Sequence, residues 1–207
     1  MTRLVVAADT PDLALIAEAA DVIRRGGLVA FPTDTVYGIA ADPRSDESVA
    51  RLFALKGRDR GSAVPLIAGD LDQARAAGHF GGPAVRLARA FWPGPLSIVV
   101  PANPVLSRAA LGGQSTVAIR VPAHAVAREL AHAFGFCLTA TSANPSGAAP
   151  AEGPDRLLDI LPAIDLLLDA GPAPGGPPST IVALGEYGPI LVRAGAVAWD
   201  RVIKSLE

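Results

Sequence analysis

Four cations stand at element ends or inside apolar runs: Lys56, Arg58, Arg120 and Arg193. Arg120 is the most informative. The run around it, Thr-Val-Ala-Ile-Arg-Val from Thr116 to Val121, is otherwise that of a buried strand, where an unpaired guanidinium is costly. Two pairings are open: a buried aspartate, Asp34 or Asp42, or a ligand carboxylate or phosphate, which suits the planar fork of donors. Arg193, at the end of Ile190-Leu191-Val192, poses the same question. Lys56 and Arg58 close a helix, and by themselves they read as a solvated end that complements the helix dipole. Hydroxyls give a second signal. Thr33 and Thr35, Ser115 and Thr116, Thr141 and Ser142, and Ser179 and Thr180 cluster at strand ends. Each pair alone reads as a turn or a cap. Together with three arginines they point to an anionic ligand, because ligands of open α/β sheets sit beyond strand ends and hydroxyls there hold phosphate oxygens.

The elements that must position these groups alternate between strand and helix. Leu28–Phe31 is a short apolar strand bounded by Gly26-Gly27 and Pro32. The polar turn Pro32-Thr33-Asp34-Thr35 leads into a helix with Val49, Leu52 and Phe53 on one face. Strand, polar turn, helix and basic exit is how α/β enzymes build half of a small-molecule site. Upstream, Thr10 is the expected N-cap and Pro11 the first residue of a helix whose buried stripe is Leu13, Ile16, Ala17, Ala20 and Ile23. Downstream, strands are expected over Pro65–Ala68, Leu96–Val100, Thr116–Val121, Cys137–Thr141, Ile164–Asp169, Ser179–Leu184 and Ile190–Arg193. Helices are expected over Leu71–Ala77, Pro83–Trp92, Ala125–Ala133, Asp155–Leu161 and Ala198–Leu206. A twisted mixed sheet with packed helices follows.

Composition narrows the function classes. The 207 residues carry a formal net charge of -2, and half of them are hydrophobic. Mean hydropathy is +0.36 and the pI about 5.9, so the chain lacks the basic footprint of a general nucleic-acid binder. No run approaches the length of a membrane helix, and the start is not that of a signal peptide. The one cysteine, Cys137, excludes an internal disulfide framework and fits a reducing cytoplasm. His79, His124 and His132 lack metal-ligand spacing. Phosphate-loop, dinucleotide and nucleophile-elbow motifs are missing. What remains is an anionic ligand, with catalysis by positioning and charge.

Taken in order, GGLVAFPTDTVYGIAAD, LFALKGR, FWPGPLSIVV, STVAIRVPAH, TSANPSG, PSTIV and ILVRAG resemble the YrdC/TsaC-like family of threonylcarbamoyl-AMP synthases over about residues 10–195. Asp34 stands where many members have Glu, the DRGSAVP loop is longer than the common one, and Pro178 replaces a frequent Glu. The resemblance implies a single YrdC-like domain over residues 1–207, an α/β fold around a positively charged cavity, and no additional C-terminal domain. It implies L-threonine, bicarbonate and ATP as substrates, with Mg2+ accompanying the triphosphate, and threonylcarbamoyl adenylate and diphosphate as products. A separate tRNA threonylcarbamoyl transferase complex then modifies an adenosine beside the anticodon. By the same resemblance Thr35, Arg120, the backbone at Ala140 and Ser179 hold threonine. Lys56, Arg58, Ser62, Thr116, Ser142, the backbone near Pro150 and Arg193 contact ATP. No residue is assigned as a general base. The alternatives are a carbamoyl-adenylate-forming or inactive paralogue, and a module that binds tRNA or double-stranded RNA, against which the acidic pI argues.

Overall fold

The computed structural model describes residues 2–57, 59, 61–149, 151 and 153–207. Arg58 and Pro150, both implied as ATP contacts, lie outside the described residues. The chain begins with strand β1 (Thr2–Val5) and helix α1 (Leu13–Arg24), followed by β2 (Val29–Phe31), β3 (Gly38–Ala40) and α2 (Asp46–Lys56). Next come β4 (Leu66–Ile67), α3 (Leu71–Ala77), α4 (Gly82–Phe91), β5 (Leu96–Pro101), α5 (Arg108–Leu111) and β6 (Thr116–Arg120). Then follow α6 (Ala125–Phe134), β7 (Leu138–Thr139), β8 (Thr141–Ser142), α7 (Pro154–Ile160), β9 (Leu166–Asp169), β10 (Thr180–Gly185), β11 (Gly188–Arg193) and α8 (Trp199–Lys204). The strands form two mixed sheets. One has the order β1-β9-β2-β3-β8 and the other β11-β10-β5-β6-β4-β7. No helix among the described residues is long and apolar enough to cross a membrane.

Local chemistry explains most boundaries. Helix α1 starts later than Thr10 suggests, because Asp12 is its N-cap and accepts from the Ala14 amide at 2.8 Å. Its buried face is Ile16, Ala19, Ala20 and Ile23, packed on α6. Leu13 and Ala17 face water, so the expected stripe was rotated by part of a turn. Helix α2 is capped by the Ser45 hydroxyl, carries Asp46 and Glu47 in its first turn, and ends on Gly57 at φ 60°. The polar turn after β2 leads first into a strand rather than a helix. Phe31 pairs with Gly38 across β2 and β3, and a Cβ on Gly38 would lie 2.9 Å from the Phe31 ring. Only glycine allows that crossing.

The expected strand Cys137–Thr141 is in fact two pieces in different sheets. Leu138–Thr139 pairs with β4 and Thr141–Ser142 pairs with β3. The crossing at Ala140 is held on both sides. The Ala140 amide donates to the Pro65 carbonyl at 2.8 Å, and the Ala41 amide donates to the Thr139 hydroxyl at 2.8 Å. This crossing leaves a space between the two sheets. On either side lie two apolar clusters, one around α1, α6 and the inner face of the six-stranded sheet, the other around β2, β3, α2 and α7. Each fully buried Leu, Ile or Phe there contributes roughly 1.5–3 kcal/mol.

Candidate functional site

Alternation along β5 and β6 decides what faces the space between the sheets. Leu96, Ile98 and Val100 of β5, with Val117 and Ile119 of β6, point into the apolar core. The opposite face carries Ser97 and Val99, then Thr116, Ala118 and Arg120. Val99 is registered with Ala118, and Ser97 with Ile181 of β10. An arginine therefore sits in an apolar strand because every second residue of that strand faces a cavity. The cavity has a volume of about 560 Å³. It is closed by the β2–β3 loop, the segment Ala63–Ile67, the Ala140 crossing, and the β10 and β11 ends at Ser179 and Arg193. No carboxylate lines it among the described residues.

Arg120 is 7% exposed and its guanidinium is held on three sides. Nε donates to the Gly94 carbonyl at 3.0 Å, Nη1 approaches the Thr35 hydroxyl at 3.4 Å, and Nη2 donates to Asp34. Of the two aspartates open from sequence, Asp34 is therefore the partner, while Asp42 is engaged by Arg44. Burial lowers the Arg120 pKa, the Asp34 charge opposes that shift, and nearby Arg193 adds to it. Two guanidinium groups thus share one cavity.

Arg193 differs in kind. Its Nη2 donates to the Ser179 carbonyl at 2.7 Å and to the Ser179 hydroxyl at 3.0 Å, and Nε donates to the same carbonyl at 3.2 Å. Its pKa is lowered by burial alone, with no carboxylate opposing the shift. The Ser179 hydroxyl lies 3.1 Å from that of Ser97, so Arg193, Ser179 and Ser97 form one polar cluster at that end.

Thr35 and Thr33 face the cavity together, their hydroxyls 3.1 Å apart. The Thr33 hydroxyl donates to the Val36 carbonyl and accepts from the Thr35 amide, which fixes the loop. Behind it, Tyr37 is buried. Its hydroxyl donates to the Gly171 carbonyl at 2.7 Å and accepts from the Ala170 amide at 3.2 Å. Burial pushes its pKa up to about 12. The Gly175 amide donates to the Thr35 carbonyl at 3.1 Å, so the Gly171–Pro178 connection lies against the same loop.

The remaining expected site residues divide. Thr116, Ala140 and Ser142 line the cavity. Lys56 does not line it, and it is no solvated helix end either. It is 4% exposed, and Nζ donates to the Ser142 carbonyl and, at 2.6 Å, to that of Asn144. Backbone carbonyls there replace water around the ammonium. Ser62 is exposed, next to the lining residue Ala63. Ser97 and Gln114 are polar lining residues that the sequence reading did not single out. Ser97 had a signal, as the one hydroxyl in the apolar run Leu96–Val100; Gln114 had none. Thr180, by contrast, faces away and exchanges hydrogen bonds with the Val197 backbone. Among the described residues no three His, Cys, Asp or Glu side chains converge as metal ligands.

A family described as "telomere recombination" (Sua5_yciO_yrdC) matches residues 21–195. A threonylcarbamoyl-AMP synthase of Pyrococcus abyssi is 37% identical over 188 residues, covering 90% of this chain and 55% of its own. The chain therefore spans about half the length of that relative. A putative threonylcarbamoyl-AMP synthase of Mycobacterium leprae is 39% identical over 195 residues, covering 92% of this chain and 87% of its own. The crystal structure of P. abyssi Sua5 complexed with L-threonine superposes with a TM-score of 0.93 at 33% identity, over 99% of this chain and 61% of that one. Escherichia coli YciO shares the fold over both whole chains, with a TM-score of 0.87 at 24% identity. On the match to residues 21–195 and these identities, the chain belongs to the Sua5/YciO/YrdC family.

Proposed function

We propose that the chain is an L-threonylcarbamoyladenylate synthase, a nucleotidyltransferase acting on L-threonine, bicarbonate and ATP. The observation that carries this is the cavity itself. Arg120 with Thr35 and Arg193 with Ser179 line it, and no carboxylate does among the described residues. A relative with the same fold was crystallised with L-threonine.

In this proposal the threonine amine attacks bicarbonate, water leaves, and a carbamate forms. A carbamate oxygen then attacks the α-phosphorus of ATP and diphosphate departs. Thr35, Arg120, the Ala140 backbone and Ser179 hold threonine. Thr116, Ser142 and Arg193 take the nucleotide, with Arg58, Ser62 and the backbone near Pro150 joining them. Lys56 serves the nucleotide end by fixing the backbone from Ser142 to Asn144. A carbamate is a weak nucleophile, so most of the gain is orientation. The guanidinium groups offset charge that builds up on the phosphoryl oxygens. Magnesium accompanying the triphosphate would be held by phosphate oxygens and would offset their charge; among the described residues no carboxylate lines the cavity.

The product is a labile mixed anhydride, and in the proposal a tRNA threonylcarbamoyl transferase complex consumes it in the cytoplasm. Diphosphate release from ATP tests the reaction. It should require threonine and bicarbonate together; equal release with threonine omitted would rule the synthase out.

A further inference from the structure

Along Thr33-Asp34-Thr35 the two hydroxyls face the cavity and the carboxylate between them does not. Asp34 is not one of the lining residues, and its carboxylate accepts from Arg120 Nη2. Its side chain is 17% exposed, against 9% for that of Arg120. The guanidinium is thus fixed at two corners, Nε on the Gly94 carbonyl and Nη2 on Asp34. Among the described residues the third corner, Nη1, has only the 3.4 Å contact to the Thr35 hydroxyl, itself a lining group. An arginine has five N–H donors in a rigid plane, so fixing two corners fixes where the others point.

We propose that Asp34 is a positioning residue that holds the Arg120 guanidinium with its Nη1 edge toward the cavity, set to receive an amino-acid carboxylate. This rests on the reading of Arg120 as a threonine ligand. Asp34 touches no substrate and acts through Arg120 alone. The local environment supports an oriented pair. The Arg120 Nη2 contact is its ion pair with Asp34, while His124, also in the field of Asp34, has its pKa lowered by burial and its Nδ1 buried without a partner among the described residues. A carboxylate that merely neutralised buried charge would stabilise the fold without affecting how threonine binds.

The test measures KM for L-threonine and for ATP, and melting temperature, in Asp34→Ala, Asp34→Asn, Arg120→Ala and the double variant Asp34→Ala/Arg120→Ala. Asp34→Ala should raise the threonine KM about tenfold while the ATP KM stays within about twofold. Asp34→Asn keeps an oxygen that accepts from Nη2 and should fall between, at about threefold. It also decides the matter if the alanine variant does not fold. The double variant should bind threonine no more weakly than Arg120→Ala, because the two residues act as one unit. If Arg120→Ala weakens threonine binding but neither Asp34 variant does, or if the two penalties add, the positioning role is wrong and the threonine reading stands. If Arg120→Ala leaves the threonine KM unchanged, both fall.

Discussion

Replacing Arg120 by alanine removes a guanidinium that is 7% exposed and leaves the Asp34 carboxylate without its cation in a loop with little access to water. Removing one partner of a buried ion pair costs about 3–5 kcal/mol, mostly through the charge left behind. The Asp34 side chain is 17% exposed, so partial rehydration places the cost near the lower end, about 3 kcal/mol. For a chain of this size each kcal/mol lowers the melting temperature by about 2–4 °C, which gives a loss of about 6–12 °C. Arg193→Ala strands no carboxylate. It removes part-buried hydrogen bonds to Ser179, at a cost of about 1 kcal/mol and a shift of about 2–4 °C. The assay is thermal unfolding of both variants with and without ATP and magnesium. Arg120→Ala should lose apo stability and keep most of the ATP-induced rise; Arg193→Ala should keep apo stability and lose most of that rise. Adding Asp34→Ala to Arg120→Ala should recover part of the melting loss, since no charge is then stranded. Equal apo losses in the two single variants, with the ATP-induced rise intact in both, would refute the division of roles between these arginines.

Two further perturbations follow from buried groups. Tyr37→Phe leaves the Gly171 carbonyl and the Ala170 amide without the hydroxyl, costing about 1–3 kcal/mol at neutral pH, read as a drop in the denaturation midpoint. The folded Tyr37 pKa is raised from 10.0 to about 12. Its contribution is therefore complete below pH 10 and lost as pH rises toward 12, and in Tyr37→Phe that part of the alkaline decline should vanish. Cys137 is buried, and burial pushes its thiol up to about 12. A thiol reagent at mildly alkaline pH should label it only on unfolding, so rapid labelling of the native protein would contradict that burial.

What was legible in the sequence was mostly local. The apolar runs of β5 and β6 and the polar turn at Thr33–Thr35 carry their structure in neighbouring residues. Long-range pairing was less legible. Nothing near Ala140 shows that Thr139 and Thr141 belong to different sheets, because the partners that divide them, β4 and β3, are far away in sequence. The same held for Lys56. Its burial depends on the Ser142 and Asn144 carbonyls, which that crossing delivers. Arg120 was visible as a question but not as an answer. Its placement in an apolar strand marked it, yet only the fold chose Asp34 over Asp42. Thr116, marked by its place in a hydroxyl pair, and Ala140, implied by resemblance alone, line the cavity because alternation and the crossing place them there.

The most direct measurement of the central claim is isotopic. The protein is incubated with ATP, magnesium, L-threonine and 13C-labelled bicarbonate, and the nucleotide products are resolved by mass spectrometry. The expected result is an AMP conjugate containing both threonine and the labelled carbon, formed in step with diphosphate and lost when Arg120 and Arg193 are replaced together. Diphosphate release without any labelled threonine-bearing adenylate, or an adenylate that forms equally well without threonine, would contradict it.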